Sequence, residues 1–486
     1  MNIKKVVIVG GGTSGWLSAA LLLNHLKGVE IIIVDKEVGT PVGVGEGTLI
    51  NFADFLSDCG FPVSDWFSKI DATYKSAILF PGWNGENKEV WHPFFKGTTN
   101  LVDNISVQDV WTNHQDLDYE RYALGFYEAS VVHKTVDTDR LDLYAFHVDA
   151  SKLVQYIKSK IADKITFIQS DVIDIIRDES NIKNLQLKNG MAINADLYVD
   201  CTGFKHILND RPERVEVTNR LFCDTAIAGH VPYKNREQEL NPYVISDQVD
   251  HGWVWNIPVK KRIGSGLVFN RSITDVEEAK KYFIQYWGNR ISEENVKVID
   301  WTPYYNLNQW RGNTVAVGLS AGFIEPLEST GITLIMAGIS KLRDLIIDNQ
   351  YTQNEIDFFN LQMKIYFEDC IDFVSMHYSK PWKKTKFWDW VKETWVTSER
   401  FEYYKSVLAD RNVPMPSNGK FSQIFGGSNW ACWLTQMGHP VAERGLPFSN
   451  EQTRKLLLDY YTNVEKHRHV WSRKHCEEVD RLSDAN

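Results

Sequence analysis

The segment that most constrains the fold is Lys4–Gly15, which reads KKVVIVGGGTSG. A short β-branched run leads there into a glycine-rich turn and then into an apolar helical pattern, the order typical of a β-loop-α unit that holds a dinucleotide phosphate. Gly10 would permit the tight turn, Gly12 would let the backbone approach a pyrophosphate, and Gly15 would let the helix pack on the strand. A second strand, EIIIVD, ends in Asp35, where an acidic side chain hydrogen-bonds a ribose hydroxyl. The segment therefore predicts a dinucleotide-binding α/β domain.

The length and net charge of the chain limit the classes of protein to which it can belong. The chain has 486 residues, more than one ordinary core, and a formal net charge of −10, which argues against a nucleic-acid-binding surface. No apolar run approaches the roughly 20 residues that cross a bilayer, and the first strand begins too early for a signal peptide. Six scattered cysteines without a CxxC pair indicate neither a metal site nor a disulfide framework. We expect a cytoplasmic protein whose partners are small molecules, with no membrane or nucleic acid among them.

A glycine-rich segment follows the second strand. It reads GTPVGVGEGT from Gly39 to Thr48 and carries one acid, Glu46, near its end. So many glycines argue against regular structure. The segment is either a simple connector or a mobile strap over a flexible cofactor.

Two polar residues fall in apolar surroundings further on. The strand pattern DATYKSAILF places Lys75 among small and apolar neighbours, where a lysine is either a solvated edge charge or a catalytic group. The aromatic run WHPFF places His92 between Trp91 and Pro93. Such a run either belongs to the core or forms the wall of a site for a flat, apolar substrate.

The middle of the chain, from about Leu221 to Val298, has the pattern of successive strands. Within it, GWVWNIPV places Trp253 and Trp255 on one face of a strand, and Pro258 is expected to stop that strand. Two indoles on one face predict a hydrophobic wall.

A return to the α/β pattern is predicted near Thr330. The residues Glu328, Ser329, Thr330 and Gly331 lie at the expected start of a helix. Its free backbone amides would hold a small anion beside a carboxylate, or else Ser329 or Thr330 simply caps the helix.

The fold class expected from these patterns is α/β. A Rossmann-type, three-layer domain is interleaved with a mixed β-sheet substrate domain and followed by a mainly helical C-terminal region. We expect a binding module over residues 1–220 with an insertion at about 60–150, a β-rich substrate domain at 221–312, a return to the module at 313–345, and helices covering the substrate pocket at 346–486. Ser151 is expected to cap one helix, and Lys380–Trp388 is expected to form a solvated helix face.

Together these motifs resemble those of the flavin-dependent tryptophan halogenases. The resemblance covers nearly the whole chain and consists of GGGTSGW at 10–16, GVGEGT at 43–48, Lys75 in its strand, HPF at 92–94, DCTGF at 200–204, WVWNIP at 253–258 and PLESTG at 326–331. The first and fifth motifs occur in many flavoproteins. The WxWxIP form, Lys75 and PLESTG are the more specific part.

The resemblance implies FAD, used as FADH2, as the cofactor. Its implied contacts are Gly10, Gly12, Thr13, Ser14, Gly15, Asp35, Val44, Gly45, Glu46, Val172, Leu319 and Ile332. Halide would bind at Thr330 and Gly331. The implied substrate pocket consists of His92, Pro93, Phe94, Trp253, Trp255 and Ser329.

The resemblance also implies a reaction, with O2 and halide as co-substrates. Hypohalous acid made beside the flavin would pass to Lys75, whose partly desolvated ammonium loses its proton more readily. Glu328 would polarise the oxidant or take the ring proton, and the two tryptophans would keep substrate and flavin apart. No second GxGxxG is visible, so a separate flavin reductase is expected to supply FADH2 by diffusion. The pattern leaves a homodimer open.

Several alternatives stay open at this point. The segment FGGSNWACWLTQMG does not match the aromatic and acidic clamp that free-tryptophan enzymes use, so a smaller indole, or an indole within a larger metabolite, is as compatible as free tryptophan. The ring position and the choice of chloride or bromide are not indicated. A flavin monooxygenase that hydroxylates an aromatic, and a non-catalytic FAD-binding protein, are the other two classes.

Overall fold

The computed structural model describes residues 2–36, 43–94, 100–102, 105–106, 114, 135–137, 144–209, 213–346, 348–410, 424–442 and 447–484. The chain divides into two compact units. Unit 1 comprises Met1–Asp71, Val148–Thr218 and Thr302–Glu368, and unit 2 comprises Ala72–His147, Asn219–Trp301 and Asp369–Asn486.

The strands are numbered in chain order. They are β1 (Lys5–Val9), β2 (Glu30–Asp35), β3 (Glu46–Gly47), β4 (Thr73–Lys75), β5 (Ala77–Pro81), β6 (Glu89–Pro93), β7 (Asn100–Val102), β8 (Ile105–Ser106), β9 (Thr135–Asp137), β10 (Ala145–Val148), β11 (Thr166–Gln169), β12 (Val172–Asp178), β13 (Asn181–Leu187), β14 (Ala192–Ile193), β15 (Leu197–Asp200), β16 (Arg214–Glu216), β17 (Thr225–Val231), β18 (Tyr243–Val249), β19 (Gly252–Val259), β20 (Arg262–Phe269), β21 (Val296–Asp300), β22 (Tyr304–Asn306), β23 (Trp310–Arg311), β24 (Thr314–Ala316), β25 (Gly322–Phe323) and β26 (Ser472–Lys474).

The helices are numbered in the same way. They are α1 (Thr13–His25), α2 (Phe52–Asp58), α3 (Val63–Trp66), α4 (Ala150–Ile161), α5 (Arg236–Glu239), α6 (Val276–Tyr286), α7 (Gly331–Leu345), α8 (Gln353–His377), α9 (Lys386–Thr394), α10 (Glu399–Ala409), α11 (Gly427–Gln436), α12 (Asn450–Trp471) and α13 (His475–Asp484). Short 3-10 turns lie at Gly203–Lys205, Glu293–Asn295, Gly318–Ser320 and Pro326–Glu328.

Unit 1 is built on a six-stranded sheet in the order β11-β2-β1-β15-β24-β23. The first five strands are parallel, and β23 pairs antiparallel with β24 at one edge. Helix α1 packs against α4 and α7. Strands β12–β14 form a separate antiparallel sheet, as do β16, β22 and β25. The central parallel strands are buried, as expected for a doubly wound sheet. The predicted Rossmann-type α/β class is confirmed.

Unit 2 contains a seven-stranded sheet in the order β21-β17-β20-β19-β18-β5-β6. The pair β5–β18 is parallel, and the other neighbours are antiparallel. Helix α6 packs on one face, where Ala279 and Phe283 join the cluster formed by Val254, Ile227 and Leu267. The mixed sheet predicted for the middle of the chain is therefore confirmed. The short pair β4–β10 is antiparallel.

Three local expectations are wrong. Helix α4 is capped by Asp149, whose carboxylate accepts from the amides of Ser151 and Lys152, so Ser151 lies inside the helix. Pro258 does not stop β19. It lies within the strand, beyond the last residue that pairs with β18, so its missing N–H breaks no bond on that side.

The third expectation concerned the basic segment near α9. The helix begins only at Lys386, and Phe387 and Trp388 are buried. Lys380–Trp388 is therefore not one solvated helix face, because the aromatic residues of its helical part belong to the core.

Candidate functional site

The turn after β1 has a geometry that glycine alone can satisfy at two positions. Gly10 has a φ of +109°, and a Cβ there would lie 2.2 Å from the carbonyl oxygen of Cys201 on the neighbouring chain segment. A Cβ on Gly15 would lie 1.9 Å from the carbonyl oxygen of Gly10. Both glycines are thus required by the packing of α1 against β1 and β15.

Gly12 differs from these two glycines. It precedes α1 in an extended conformation with φ −82°, which any residue can adopt, and no side chain caps the helix there. A Cβ on Gly12 would meet no atom within 4 Å beyond its neighbours along the chain. Neither backbone strain nor packing explains this glycine. An open cradle at a helix start, lined by free amides, fits the diphosphate of a dinucleotide such as FAD.

The other predicted cofactor residues of the cradle lie close by. Asp35 ends β2 beside β1, and its Oδ2 lies only 2.6 Å from the position that a Cβ on Gly11 would occupy. Ser14, on the first turn of α1, is likewise 2.9 Å from where a Cβ on Gly318 would lie. The 3-10 turn that contains Leu319 therefore lies against the start of α1, and Leu319 itself is 37 % exposed.

A buried carboxylate holds this turn in place. Asp200, at the end of β15, accepts hydrogen bonds from the amide of Leu208 through Oδ2 and from the hydroxyls of Thr202 and Ser320 through Oδ1. These hydrogen bonds hold together the loops around the cradle. Asp200, the last residue of β15, is also the first residue of the motif DCTGF.

Two further predicted contacts lie elsewhere in unit 1. Val172 begins β12 and is partly buried against the core under that sheet. In the strap, Gly45 has a φ of +94°, and Glu46 begins the two-residue strand β3. Burial raises the pKa of the Glu46 carboxyl to about 7. The first part of the strap, residues 39–42, lies outside the described residues.

The loop before α7 places polar groups in a buried setting. Glu328 is fully buried, Ser329 adopts a left-handed φ of +59°, and Thr330 is the N-cap residue of α7. The interpretation as a simple Ser or Thr cap is wrong, because neither side chain caps the helix: the Oγ1 of Thr330 is buried without a hydrogen-bond partner. Such a geometry leaves the first amides of α7 available to an external acceptor.

Gly331, the first residue of α7, leaves space beside these amides. A Cβ there would meet no atom of the described residues within 4 Å outside the helix's own backbone and its chain neighbours, which leaves space beside the first turn in this part of the chain. The next residue, Ile332, is buried on α7. A second buried carboxyl, Glu325, lies three residues before Glu328 and was missed by sequence reasoning. The repeated Glu in the sequence EPLE was the available signal.

In unit 2, Lys75 ends β4 and has no exposed surface. Its Nζ lies 4.8 Å from the centroid of the Phe94 ring, within the range of a cation–π contact. The interpretation as a solvated edge charge is wrong, because the strand lies inside the unit. The predicted single strand also breaks at Ser76, whose amide and hydroxyl both donate to the carbonyl of Pro242.

The predicted aromatic wall is buried as well. His92 and Pro93 belong to β6, and Phe94 follows them with its amide bonded to the carbonyl of Ser76. Asn429 of α11 donates to Nε2 of His92 at 2.9 Å, which is the geometry expected of an amide N–H and a ring nitrogen. This bond fixes the orientation of the imidazole.

The two tryptophans of β19 share one face, as predicted. The ring centroids of Trp253 and Trp255 are 6.1 Å apart, and both residues are buried. Val254, between them, packs towards α6, so the indoles lie on the opposite face of the sheet. Gly266 on β20 makes room for this wall, because a Cβ there would lie 2.2 Å from the Trp255 ring.

His147 is a polar residue of unit 2 that sequence reasoning missed. It lies at the end of the apolar strand β10, directly opposite Thr73, and is completely buried. Nothing in the sequence AFHV distinguishes this histidine from a core residue, because only the strand pairing brings it to Lys75.

Among the described residues there is no cluster of metal-binding side chains and no helix long and apolar enough to cross a membrane.

Comparison with known proteins gives a consistent answer. The family model for tryptophan halogenase matches residues 5–448. The chain is 30 % identical over 457 residues to tryptophan 6-halogenase ThaL from Streptomyces albogriseolus, covering 86 % of this chain and 85 % of ThaL. The crystal structure of the tryptophan 6-halogenase SttH from Streptomyces toxytricini superposes with a TM-score of 0.89 at 23 % identity, covering 99 % of this chain and 100 % of that chain.

A second solved structure is more similar in sequence. BrvH, a flavin-dependent halogenase from Brevundimonas sp. BAL3, is 26 % identical with a TM-score of 0.86, and 99 % of each chain is covered. The fold is thus that of flavin-dependent halogenases, and the chain belongs to the tryptophan halogenase family.

Proposed function

We propose that this protein is an FADH2- and O2-dependent halogenase that places chloride or bromide on the ring of an indole. ThaL, the relative described above, is named a tryptophan 6-halogenase, which supports an indole as the substrate class. Binding of FAD and halide is assigned to residues of unit 1, whereas Lys75, which would carry the oxidant, belongs to unit 2. Each assignment is supported by the geometry within its own unit.

The observation that carries the proposal is the burial of Lys75. A lysine with no exposed surface, over an aromatic ring, carries a large desolvation cost that selection has no reason to keep for packing alone. An amine held away from water is suited to binding or carrying an electrophilic halogen. An aromatic hydroxylase would not need such an amine.

FAD fits the cradle of unit 1. Gly12 has no side chain at the start of α1, the amides there would donate to a diphosphate, and Asp35 at the end of β2 would bind a ribose hydroxyl. Bound as FADH2, the cofactor would supply, with O2, the two-electron oxidation of halide to hypohalous acid. The strap with Val44, Gly45 and Glu46, together with Val172, Leu319 and Ile332, would complete its contacts.

Halide would bind at the start of α7. The amides of Thr330 and Gly331 lie at the positive end of the helix dipole, and the open space beside Gly331 admits an ion. The buried Thr330 hydroxyl, which has no hydrogen-bond partner among the described residues, would donate to the ion. Such a site binds an anion without a lysine or arginine.

Halogen transfer would use Lys75 and Glu328. Lys75 would hold hypohalous acid, either as a hydrogen-bond donor or by forming a haloamine with loss of water. Glu328, buried in the turn before α7, would polarise the oxidant or take the ring proton as the halogenated ring regains aromaticity. Trp253 and Trp255 would keep the substrate apart from the flavin.

Flat apolar groups of unit 2, His92, Pro93 and Phe94 among them, would line the substrate pocket. Free tryptophan, a smaller indole and an indole within a larger metabolite differ in the polar group attached to the ring. A separate flavin reductase would deliver FADH2 by diffusion.

Mass spectrometry of a panel of indoles tests the proposal. The protein is incubated with FAD, a flavin reductase, NADH, O2 and bromide, with tryptophan, indole and an N-acylated tryptophan as substrates. We expect a monobrominated product that disappears when bromide, FAD or the reductase is omitted. A hydroxylated product formed without halide would contradict the proposal and identify a monooxygenase, and no turnover of any substrate would identify a non-catalytic flavin-binding protein.

A further inference from the structure

The side chain of His147 has a defined tautomer. Its Nδ1 lies 2.8 Å from the hydroxyl oxygen of Thr73, and that hydroxyl lies 2.6 Å from the carbonyl oxygen of Pro258. A carbonyl can only accept, so the Thr73 hydroxyl donates to Pro258 and must accept from His147. The proton of the neutral imidazole is therefore on Nδ1, and Nε2 carries a lone pair.

This lone pair has no partner. His147 has no exposed surface, and its Nε2 is buried without a hydrogen bond to any described group. A buried acceptor that is left unsatisfied costs stability, and such groups in folded proteins mark a ligand, an ordered water or a functional site. An apolar residue at this position would fill the space without that cost.

The strand pairing brings His147 close to Lys75. In the β4–β10 pair, His147 is opposite Thr73 and Ala145 is opposite Lys75. Residues 73 and 75 point to the same face of β4, so His147 is the diagonal neighbour of Lys75 on that face, at a separation that a long side chain spans. The hydrogen bond to Thr73 thus fixes the orientation of the His147 imidazole, and Lys75 lies next to it on the same face of the strand pair.

The imidazole stays neutral at physiological pH. Burial, followed by the positive charge of Lys75 and by His475 of α13, holds the pKa of His147 well below its usual range. His475 is itself fixed, because it accepts from the amide of Tyr74 and donates to the carbonyl of Leu240. A hydrogen bond to the carbonyl of Pro258 favours the protonated form, but it does not outweigh these causes.

We propose that His147 takes part directly in halogen transfer, in which its Nε2 accepts the O–H of hypohalous acid held beside Lys75. The inference rests on the proposed halogenase function. Hypohalous acid is a small neutral molecule that can donate one hydrogen bond and accept another through the same oxygen. The Lys75 ammonium donates to that oxygen, and His147 accepts from it, which fixes the direction of the halogen. A halide ion has no donor and does not fit this acceptor.

Two substitutions at His147 separate the roles of its nitrogens. In His147→Asn, the side-chain amide reaches only as far as Nδ1, so it keeps a donor for Thr73 and loses the acceptor. In His147→Gln, the amide oxygen reaches the position of Nε2. His251→Asn is the matched control, because His251 also pairs with a threonine hydroxyl, that of Thr274, but is partly exposed in the turn between β18 and β19.

The measurement is the amount of haloindole formed per FADH2 consumed, together with trapped free hypohalite and the thermal unfolding midpoint. We expect His147→Asn to lower this ratio about tenfold and to release hypohalite, as befits the loss of one hydrogen bond to the reacting species. His147→Gln should stay close to the unsubstituted protein, and so should His251→Asn.

Two outcomes would overturn the inference while the halogenase function stands. Normal haloindole yield from His147→Asn would show that Nε2 holds only solvent, and equal losses in Asn and Gln, with equal loss of thermal stability, would show a packing role. Nitrogen-15 NMR of labelled histidines gives a test without turnover: Nδ1–H with an unprotonated Nε2 at pH 7 is expected, and the opposite tautomer contradicts the inference. Absence of haloindole from the unsubstituted protein would instead refute the proposed function.

Discussion

The start of α1 in unit 1 and strand β4 in unit 2 each form a candidate site for a polar ligand, but they are built in opposite ways. At the start of α1 the site is made by removing side chains, so that amides and open space face a ligand. On β4 the site is made by burying side chains, with Lys75 on the strand and His147 opposite Thr73. A backbone site depends on residues close in sequence, whereas a side-chain site depends on strand pairing.

The difference explains what the sequence could predict. The spacing of Gly10, Gly12 and Gly15 predicted the β-loop-α unit that the structure shows, since β1, the turn and the start of α1 are consecutive in the sequence. His147 gave no signal, because its partner Thr73 is 74 residues away and the hydroxyl direction follows from a third segment at Pro258.

Substitution of Glu328 is expected to give the largest effect among the carboxyls. Glu328→Gln keeps the shape of a fully buried side chain and removes its basicity. The rate of haloindole formation should fall on the order of 10²-fold, while FADH2 oxidation continues. Single-turnover product analysis checks this prediction. An unchanged rate would assign the carboxyl to loop structure alone.

The cradle glycines provide a direct contrast between packing and ligand binding. Gly15→Ala should lower the free energy of unfolding by about 1–3 kcal/mol, because the added Cβ would lie 1.9 Å from the Gly10 oxygen. Gly12→Ala should leave the unfolding free energy nearly unchanged and weaken FAD binding about tenfold, a cost similar to one lost hydrogen bond.

Chemical denaturation and fluorescence titration with FAD measure the two effects of these glycine substitutions. Equal losses of stability in both variants would show that Gly12, like Gly15, is a packing glycine and would remove the argument for the diphosphate.

The halide site should respond to a single methyl group. Gly331→Ala adds a Cβ that meets no protein atom outside its own helix, so stability should hold or rise. The KM for bromide should rise about threefold to tenfold if the ion occupies that space. Gly338→Ala, further along α7, is the control, because its Cβ would make an ordinary contact with Met363. A bromide KM that is equal in the two variants would place the ion elsewhere.

Substitution of Glu46 in the strap should give the smallest effect, a change in the free energy of unfolding that depends on pH. Burial raises the pKa of Glu46 from 4.5 to about 7, so the folded state binds a proton that the unfolded chain releases, and stability falls as pH rises from 4.5 through about 7. Glu46→Gln removes this loss. The variant should exceed the original protein by about 1 kcal/mol at pH 8, a reduced value because the residue is partly exposed, and match it near pH 4.

Denaturation at pH 4 and pH 8 measures this difference. A Glu46→Gln variant that is less stable than the original protein at pH 8 would mean that the ionised carboxylate is favoured in the fold.

The limits of sequence reasoning show in three further residues. Ser151 matched the cap pattern, yet Asp149 caps α4, because an aspartate one residue before the helix reaches two amides. Pro258 matched a strand breaker, yet it lies where β19 has a partner on one side only. The pattern around Lys75 fitted either an edge charge or a catalytic group, and only the packing of unit 2 shows the lysine to be buried. Local patterns predicted the elements, and long-range pairing decided the roles of single residues.

The most direct test of halogen transfer through Lys75 uses the variant Lys75→Met. The substitution places an apolar side chain of similar length in the buried position. FADH2 consumed, hypohalite trapped and haloindole formed are measured in the same reaction with bromide. The account predicts that FADH2 consumption continues and hypohalite is released, while haloindole falls by at least about 10²-fold. Haloindole formed at one ring position in normal yield by Lys75→Met would contradict it.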